Sequence, residues 1–575
     1  MLVYGHRSSP RDVAPFLREF RAWLDRVGPQ PDRDAIVDLI IDFAEVESAV
    51  ADTLNPDDDD ERTLLAPWRE ALGSLTDAFC ASCAGGTRGA VAALARARTS
   101  LSALSIPPGC ERVETRAAEG FSCFALYPEQ YVDAARRVRP TIGDAPVVCL
   151  GLRSIGSVLA STVASALAAE GCRTSVRSVR PRGHPFDRTL KLGPQLSALL
   201  SSHAASHFLI VDEGPGMSGS SFASAVDALT RLGVPSSRIT LLPAWQPDPR
   251  GLRSARAQSA FSACRVVVGA SPVRDVVRDV LGRSAVDVSA GLWRSAIASL
   301  RATPVAVHPQ HERVKFVDSP MQPRLTGRFA GLGRHGRIRF ERAQRLHAAG
   351  FGPEPVCLSR GFLVLRWIDG TPFSAGQPLT PAGLDRVAAY IAAVARERSP
   401  GDADHGRELE EMVRFNTITA LGEHFTRPVE ALLEAREWSP APRCAVDGRM
   451  LPHEWIDSGN GLMKVDALDH HADDFLPGCR DVAWDVAGAC VEMTSTPHDR
   501  ERLVGQYVLQ SGDAGVVQRL PFFTTAYLAW RVGYTTMAAE SLGRSDDGTR
   551  FSRAAARYRR LLAAHVAPTP RVAAR

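Results

Sequence analysis

The 575-residue chain has only three lysines, Lys191, Lys315 and Lys464, although lysine and arginine together number 68. Nearly all of its positive charge is therefore arginine, so arginine is expected at positions where related proteins use lysine. The formal net charge is only +4. This small excess gives no general reason to expect binding to nucleic acid or to a membrane surface. We expect small molecules to be its partners.

Long apolar runs are also missing. No stretch approaches the roughly 18 apolar residues needed to cross a bilayer, and residues 1–10 are too polar for a signal peptide. The eleven cysteines are scattered, and most have apolar neighbours, as is typical of free thiols in a reducing compartment. The one CxxC pair, Cys80 and Cys83, has no second pair at zinc spacing. We expect a cytoplasmic protein, and a homodimer is left open.

The length of the chain predicts two or three domains. Residues 1–106 are predicted to be a helical N-terminal region, because apolar residues recur at helical spacing between residues 34 and 54. A second stripe of this helix is acidic and contains Asp38, Asp42, Glu45 and Asp52. Such a stripe could dock a basic partner or a metal, but a solvated face is the favoured interpretation.

The rest of the chain has two further patterns. Over residues 110–270, short apolar runs at 147–150, 208–211 and 239–242 alternate with helical stretches. This alternation predicts an α/β domain with a parallel sheet and crossover helices. Residues 272–305 are predicted to be a helical connector. Residues 306–565 are predicted to form an α+β domain, with short strands around a helix at 338–349 and a mainly helical stretch after them.

The most informative segment is 208–222, FLIVDEGPGMSGSSF. A buried strand ends in two acids, Asp212 and Glu213, and a loop of small residues leads into a helix. Ligands of open parallel sheets bind at the carboxyl ends of strands. A helix that begins after such a loop presents backbone N–H groups and a favourable dipole to a phosphate. Two acids beside a phosphate would normally repel it, so they are expected to bind sugar hydroxyls or Mg²⁺ instead.

This segment resembles the motif with which type I phosphoribosyltransferases bind phosphoribosyl pyrophosphate (PRPP). The resemblance implies that Asp212 and Glu213 hold the ribose hydroxyls and act in catalysis. It also implies that the 5-phosphate lies among Met217, Ser218, Gly219, Ser220 and Ser221. The implied activity is glycosyl transfer, in which an unidentified acceptor displaces pyrophosphate with the help of Mg²⁺. Here the second acid is glutamate, and the loop is one residue longer than in the family pattern.

Two upstream segments occur in the same order as in that family. Residues 147–156, VVCLGLRSIG, resemble the pyrophosphate-binding loop after the first core strand, which implies roles for Arg153, Ser154 and Gly156. Residues 180–188, RPRGHPFDR, resemble the mobile basic loop that closes over PRPP. The resemblance assigns the departing pyrophosphate to the cationic residues of that loop, namely Arg180, Arg182, His184 and Arg188. A solvated arginine loop is the alternative.

The C-terminal region contains a GxGxxG match at residues 331–336. A dinucleotide site requires a complete βαβ unit and an acid about 20 residues further on, and no suitable acid follows. The region instead resembles aminoglycoside phosphotransferases and related kinase-like folds. Residues 361–370 resemble their inter-lobe strand and hinge, residues 447–455 their catalytic loop, residues 462–466 the strand before a metal-binding aspartate, and residues 480–488 the helix that braces the loop.

This second resemblance implies Asp447 as the catalytic base, with His453 or Glu454 in place of the usual asparagine. It implies Asp466 as the Mg²⁺ ligand and ATP as the phosphate donor. Arg328 takes the strand position of the nucleotide-binding lysine, and Lys315, the only lysine nearby, is the alternative. Glu341 is the helix acid expected to pair with that lysine. Asp466 also begins an Asp/His-rich run, with Asp469, His470, His471, Asp473 and Asp474, for which a hydrolytic metal centre is the alternative to a polar loop.

Two functions fit these patterns. The first is a bifunctional enzyme, in which PRPP-dependent transfer is joined to ATP-dependent phosphorylation of a small molecule. The second is a regulatory protein that binds PRPP and nucleotide without turnover. The degenerate catalytic loop favours the second, and the paired acids and basic loop favour the first for the middle domain.

Overall fold

The computed structural model describes residues 1–3, 8–27, 31–184, 186–297, 300, 304–397, 406–434, 443–459, 461–470 and 480–567. Four helices dominate the N-terminal region: α1 (Val13–Arg26), α2 (Arg33–Leu54), α3 (Ala66–Cys83) and α4 (Thr87–Ser102). A short strand, β1 (Ser8–Asp12), was not predicted. It pairs antiparallel with β2 (Arg112–Arg116). Because its side chains are almost all exposed, no alternation of apolar and polar residues indicates a strand there.

The middle region confirms the predicted parallel sheet. Its strands are β3 (Val147–Leu152), β4 (Thr174–Val179), β5 (His207–Val211), β6 (Ile239–Leu242) and β7 (Arg265–Val266), in the order β4-β3-β5-β6-β7. All neighbouring pairs are parallel. The helices are α5 (Glu119–Ser122), α6 (Pro128–Ile142), α7 (Gly156–Ala169), α8 (Pro194–Ser202), α9 (Ser220–Arg231) and α10 (Ala255–Ala263). The strand order reverses direction between β3 and β5, which creates a crevice beyond their carboxyl ends.

The predicted helical connector, 272–305, is only partly helical. It contains α11 (Val273–Leu281), β8 (Val286–Asp287) and α12 (Trp293–Ala296). Strand β8 pairs antiparallel with β9 (Lys315–Val317). The segment therefore adds an edge strand to the second sheet. Because β8 contains only two residues, its apolar pattern is too short to distinguish a strand from a helix.

The second sheet is antiparallel, with strand order β11-β12-β10-β9-β8. It contains β10 (Leu325–Phe329), β11 (Pro355–Ser359) and β12 (Phe362–Arg366), and helix α13 (Gly333–Ala348) packs against it. This helix begins five residues before the predicted start at 338. A smaller sheet of β13 (Thr371–Pro372), β14 (Trp455–Asp457) and β15 (Leu462–Lys464) follows β12.

Helices make up most of the remaining C-terminal part, as predicted. They are α14 (Pro381–Val394), α15 (Gly406–Leu421), α16 (Thr426–Glu434), α17 (Ala483–Met493), α18 (Pro497–Ser511), α19 (Val516–Leu542) and α20 (Asp546–Val566). Within the described ranges, no helix combines the length and apolarity that a bilayer crossing requires.

One hydrophobic core extends across all three regions. It joins Phe43 of α2 and Leu159 of α7 to Phe329 and Phe362 of the antiparallel sheet. A separate core fills the C-terminal helices, around Trp484 and Trp530. Helix α2 therefore lies between the parallel sheet and the antiparallel sheet, where it contacts both α7 and α13.

Candidate functional site

The crevice between β3 and β5 contains the predicted phosphate loop. Residues 153–156 follow β3, and residues 212–219 lead from β5 to the first turn of α9. Gly219 precedes α9 with a φ of 66°, a left-handed conformation that glycine adopts without strain. The hydroxyls of Ser218 and Ser220 are 3.1 Å apart. The sequence order of strand, acids, loop and helix is therefore reproduced at the carboxyl edge of the sheet.

The two acids of this loop differ in their surroundings. Burial raises the pKa of the Asp212 carboxyl to about 7, although Arg188 and Arg180 of the basic loop act in the opposite direction. Glu213 accepts a hydrogen bond from the backbone amide of Gly120 at 2.5 Å through its Oε2 atom. The Glu213 side chain is therefore directed toward the short helix α5. Asp212 lies near the arginines of the basic loop, as expected if that loop covers the crevice.

The Arg153 side chain, predicted to approach pyrophosphate, is paired with carboxylates of this chain, and its role toward pyrophosphate stays a prediction. This guanidinium is 1% exposed and is held by Asp52, 2.9 Å away, and by Asp59. Its backbone amide donates to Val179. Gly156 has a packing role, since a Cβ atom there would lie 2.8 Å from the Val211 carbonyl oxygen.

The basic loop is partly neutralised by the same acids. Arg180 donates to Asp52 Oδ1 at 2.7 Å and to the Ser154 hydroxyl at 3.1 Å. Arg182 lies 3.3 Å from Asp59 Oδ2. Two of the four cationic residues assigned to pyrophosphate are thus paired with carboxylates from the N-terminal region, which the sequence order did not indicate. His184 is exposed and Arg188 half-buried.

The acidic stripe of α2 is a docking surface, and the favoured interpretation as a solvated face was wrong. Glu45 pairs with Arg334 and lies 3.0 Å from His335 Nε2, while Asp38 pairs with Arg337. All three partners belong to the first turns of α13, which overlap the GxGxxG match. The amino-terminal end of α13 therefore faces carboxylates of this chain.

A second candidate site is a cleft of about 540 Å³ between the antiparallel sheet and the C-terminal helices. Part of its lining is apolar, with Trp293, Ile297, Leu365 and Ile368. The lining also contains the charged residues Lys315, Arg328, Glu454 and Asp466. Helices α17, α19 and α20 contribute Glu492, Arg531, Tyr534 and Arg557 among others.

The charged wall contains ion pairs. Arg328 donates to Asp466 Oδ1 at 2.7 Å and to Asp469 Oδ1 at 2.9 Å. Arg328 and Lys315 are opposite each other on β10 and β9. Glu341, the predicted partner of the nucleotide-binding residue, is exposed on α13. Arg328 is paired with Asp466 and Asp469 instead, and among the described residues no ion pair joins it to Glu341.

Asp447, the predicted base, is fully buried and is not among the residues that line the cleft. Its carboxylate lies 3.0 Å from Lys464 Nζ and accepts a hydrogen bond from Tyr390 at 2.5 Å. The backbone amides of Asp447 and Gly448 donate to Asp485 at 2.7 and 2.9 Å. Asp485 thus braces this loop, as predicted for residues 480–488, whereas Asp447 is a buried ion-pair partner.

His470 joins the two acid groups. Its Nδ1 atom is 3.2 Å from Asp447 Oδ1, and its Nε2 atom is 3.6 Å from Asp466 Oδ2. Burial and Arg449 lower the pKa of His470, but Asp466 and Asp447 outweigh them and raise it to about 9. Asp466, Asp469 and His470 are close enough to share a metal ion. His471, Asp473 and Asp474 of the predicted run lie outside the described residues.

No role was predicted for Lys464. This side chain is fully buried and also lies 2.7 Å from Glu454 Oε2. A lysine in an apolar strand of a chain with only three lysines is a signal that could have been used, because a buried ammonium requires carboxylate partners.

No protein-family model matches the chain, and no curated protein matches it. Solved structures that resemble it include a choline kinase from Cryptosporidium parvum (12% identity, 48% of this chain, 96% of that chain, TM-score 0.31). A choline/ethanolamine kinase family protein from Mesorhizobium loti has 18% identity over 44% of this chain and 88% of that chain, with a TM-score of 0.30. A spectinomycin phosphotransferase solved with ADP and spectinomycin has 10% identity over 45% and 88%, with a TM-score of 0.31. At these scores the likeness does not by itself assign a function to this chain.

Proposed function

We propose that the C-terminal cleft binds a nucleoside triphosphate and transfers its terminal phosphate to a small molecule. The observation that supports this most is one cavity whose lining combines apolar side chains with cations and carboxylates. A flat nucleobase suits the apolar residues Trp293, Ile297 and Ile368. The cations and carboxylates of the same lining suit the phosphates and their metal ion.

The charged wall contains the groups that phosphoryl transfer requires. Lys315 and Arg328 lie side by side on neighbouring strands and can hold phosphate oxygens. Asp466 offers the oxygen ligand that Mg²⁺ prefers. When bound, Mg²⁺ bridges the phosphates and neutralises their charge. In this proposal Arg328 exchanges its Asp466 partner for a phosphate oxygen.

The acceptor hydroxyl must lose its proton during transfer. Because Asp447 does not line the cleft, we assign this proton to Glu454, a buried carboxylate that lines the cleft and is paired with Lys464. Little covalent chemistry is required from the protein, since positioning and charge stabilisation carry most of the catalysis. Nucleotide binding without turnover is the alternative, and the burial of Asp447 favours it.

Calorimetric titration of the full chain with Mg²⁺ and ATP tests the proposal. We expect saturable binding that Lys315→Met weakens, whereas Lys191→Met, a change of an exposed lysine, leaves it unchanged. Absence of binding by the wild-type protein would overturn the proposal. Binding without ADP formation in the presence of candidate acceptors would favour the regulatory alternative.

A second function is proposed for the middle region, namely PRPP binding followed by phosphoribosyl transfer. It is supported by Asp212, Glu213 and the serine-rich start of α9 at the point where the strand order reverses. Of the two basic-loop arginines that lower the pKa of Asp212, the half-buried Arg188 has the larger effect and Arg180 the smaller. Pyrophosphate release from PRPP with a set of acceptors measures this activity. If Asp212→Asn with Glu213→Gln releases pyrophosphate as fast as the wild type, the proposal fails.

A further inference from the structure

The part of the C-terminal cleft lined by α17, α19 and α20 is basic. Three arginines, Arg531, Arg553 and Arg557, line it on α19 and α20, against one carboxylate, Glu492 of α17. Glu492 already accepts hydrogen bonds from Arg557 at 2.9 Å and from two tyrosine hydroxyls. The charge on these helices is therefore net positive, and a cationic acceptor would be repelled.

A polar group without a partner lies on the same cleft wall. His308 is 5% exposed, and among the described residues no group hydrogen-bonds to its Nδ1 atom. Burial lowers the pKa of His308, so the ring is neutral. A buried nitrogen without a partner costs free energy unless a ligand supplies one. A neutral ring facing a cleft suits a hydroxyl group.

His308 also connects the cleft to the phosphate loop of the middle region. Its Nε2 atom lies 3.4 Å from the hydroxyl of Ser541, and this hydroxyl donates to the Met217 sulfur at 3.8 Å. Met217 belongs to the loop proposed to cradle a sugar 5-phosphate. The two candidate sites are thus separated at this point by a single serine side chain.

We propose that the acceptor of the C-terminal cleft is a phosphorylated sugar, whose phosphate binds the arginines of α19 and α20 and whose hydroxyl faces His308. This inference rests on the phosphotransferase function proposed above. In the transfer, the bond between the γ-phosphorus and ADP breaks, a bond to the acceptor hydroxyl oxygen forms, and the hydroxyl proton passes to Glu454. Phosphoribosyl transfer is the class of reaction that would supply such an acceptor, because its product keeps the 5-phosphate.

Ribose 5-phosphate is the probe, with ribose and choline as the neutral and cationic comparisons. Titrations use the full chain carrying Asp212→Asn and Glu213→Gln, which removes the two carboxylates proposed to hold ribose hydroxyls in the middle-region loop, with Mg²⁺ and ADP present. We expect ribose 5-phosphate to bind at least about tenfold more tightly than ribose, because charge-assisted hydrogen bonds are the strong ones. Choline should not bind measurably.

Variants on α20 locate the site. Arg557→Gln keeps a hydrogen-bond donor for Glu492, and Arg553→Gln changes an exposed arginine at the rim, so at least one is expected to fold normally. Each should weaken ribose 5-phosphate binding, whereas Arg560→Gln, an exposed arginine of the same helix outside the cleft, should not. Tighter binding of choline, or unchanged ribose 5-phosphate binding in the Arg553 and Arg557 variants, overturns the inference. If ADP binds in either case, the phosphotransferase proposal survives.

Discussion

Asp485 accepts a hydrogen bond from the backbone amide of Asp447 at 2.7 Å. The side chain of Asp447 is turned the other way, into contact with Lys464 and His470. In the loop that resembles a kinase catalytic loop, Asp485 therefore holds the backbone, while Lys464 and His470 neutralise the Asp447 carboxylate. The chemistry proposed for the cleft must then be carried by Glu454 and Asp466, which line it.

Replacing Lys464 with methionine should reduce stability strongly. The change leaves the buried carboxylates of Asp447 and Glu454 without their shared cation, which typically costs about 3–5 kcal/mol. Chemical denaturation measures the loss. Lys191→Met, at an exposed position, is the matched control, and adding Glu454→Gln to Lys464→Met should restore part of the stability. Equal stability of the two lysine variants would refute the assigned ion pairs.

Replacing Asp466 with asparagine should weaken binding of ATP in the presence of Mg²⁺ by about tenfold or more, since an amide is a poorer ligand for Mg²⁺ than a carboxylate. Binding of ATP without Mg²⁺ should change much less. Calorimetry with and without the ion separates the two effects, and Asp457→Asn, an exposed aspartate of β14, is the control. If Asp466→Asn binds Mg²⁺ and ATP as the wild type does, Asp466 is not the ligand.

Replacing Asp59 with asparagine should destabilise the contact between the N-terminal region and the parallel sheet. Asp59 is 1% exposed and pairs with the equally buried Arg153, so its loss leaves the buried guanidinium with Asp52 as its remaining carboxylate partner. We expect the free energy of unfolding to fall by about 3 kcal/mol. Asp57→Asn in the same loop, where the side chain is exposed, should change it by less than about 0.5 kcal/mol. Similar values for both would show that the pair adds no stability.

Stability should also depend on the ionisation of Asp212. Its pKa is raised to about 7 by burial, so between pH 4 and 7 the folded state holds a proton that the unfolded state has released. The contribution of Asp212 to stability is therefore present at low pH and is lost as the pH rises toward 7. Melting temperatures measured from pH 5 to 8 should show this decline. Asp212→Asn should flatten the decline, whereas exposed Asp144→Asn should not.

The sequence predicted most of the elements around both sites because each has a strong local pattern. The strand and small-residue loop at 208–222 depend on neighbouring residues, and they form as expected. The same holds for the brace formed by Asp485. The order of these local motifs in the sequence thus predicted which backbone segments meet in the crevice between β3 and β5 and in the cleft.

The pairing of charged side chains was not predictable in this way. Arg153 and Asp59 are separated by 94 residues, and Glu45 and Arg334 by 289. Their contacts depend on how whole regions pack, which no local periodicity encodes. Arginine supplies almost all the cations of this chain. The sequence alone therefore does not distinguish an arginine that forms a structural ion pair from one that binds a ligand.

Helix α2 has a practical consequence for anyone who divides this protein. Its Asp38 and Glu45 meet α13, and Asp52 near its end meets Arg153 and Arg180. A cut near residue 300 would therefore leave each fragment with a charged face that has lost its partner. It would also separate Phe329 and Phe362 from the hydrophobic core that they share with α2. We expect the two halves to fold poorly when they are expressed separately and to fold better when they are coexpressed.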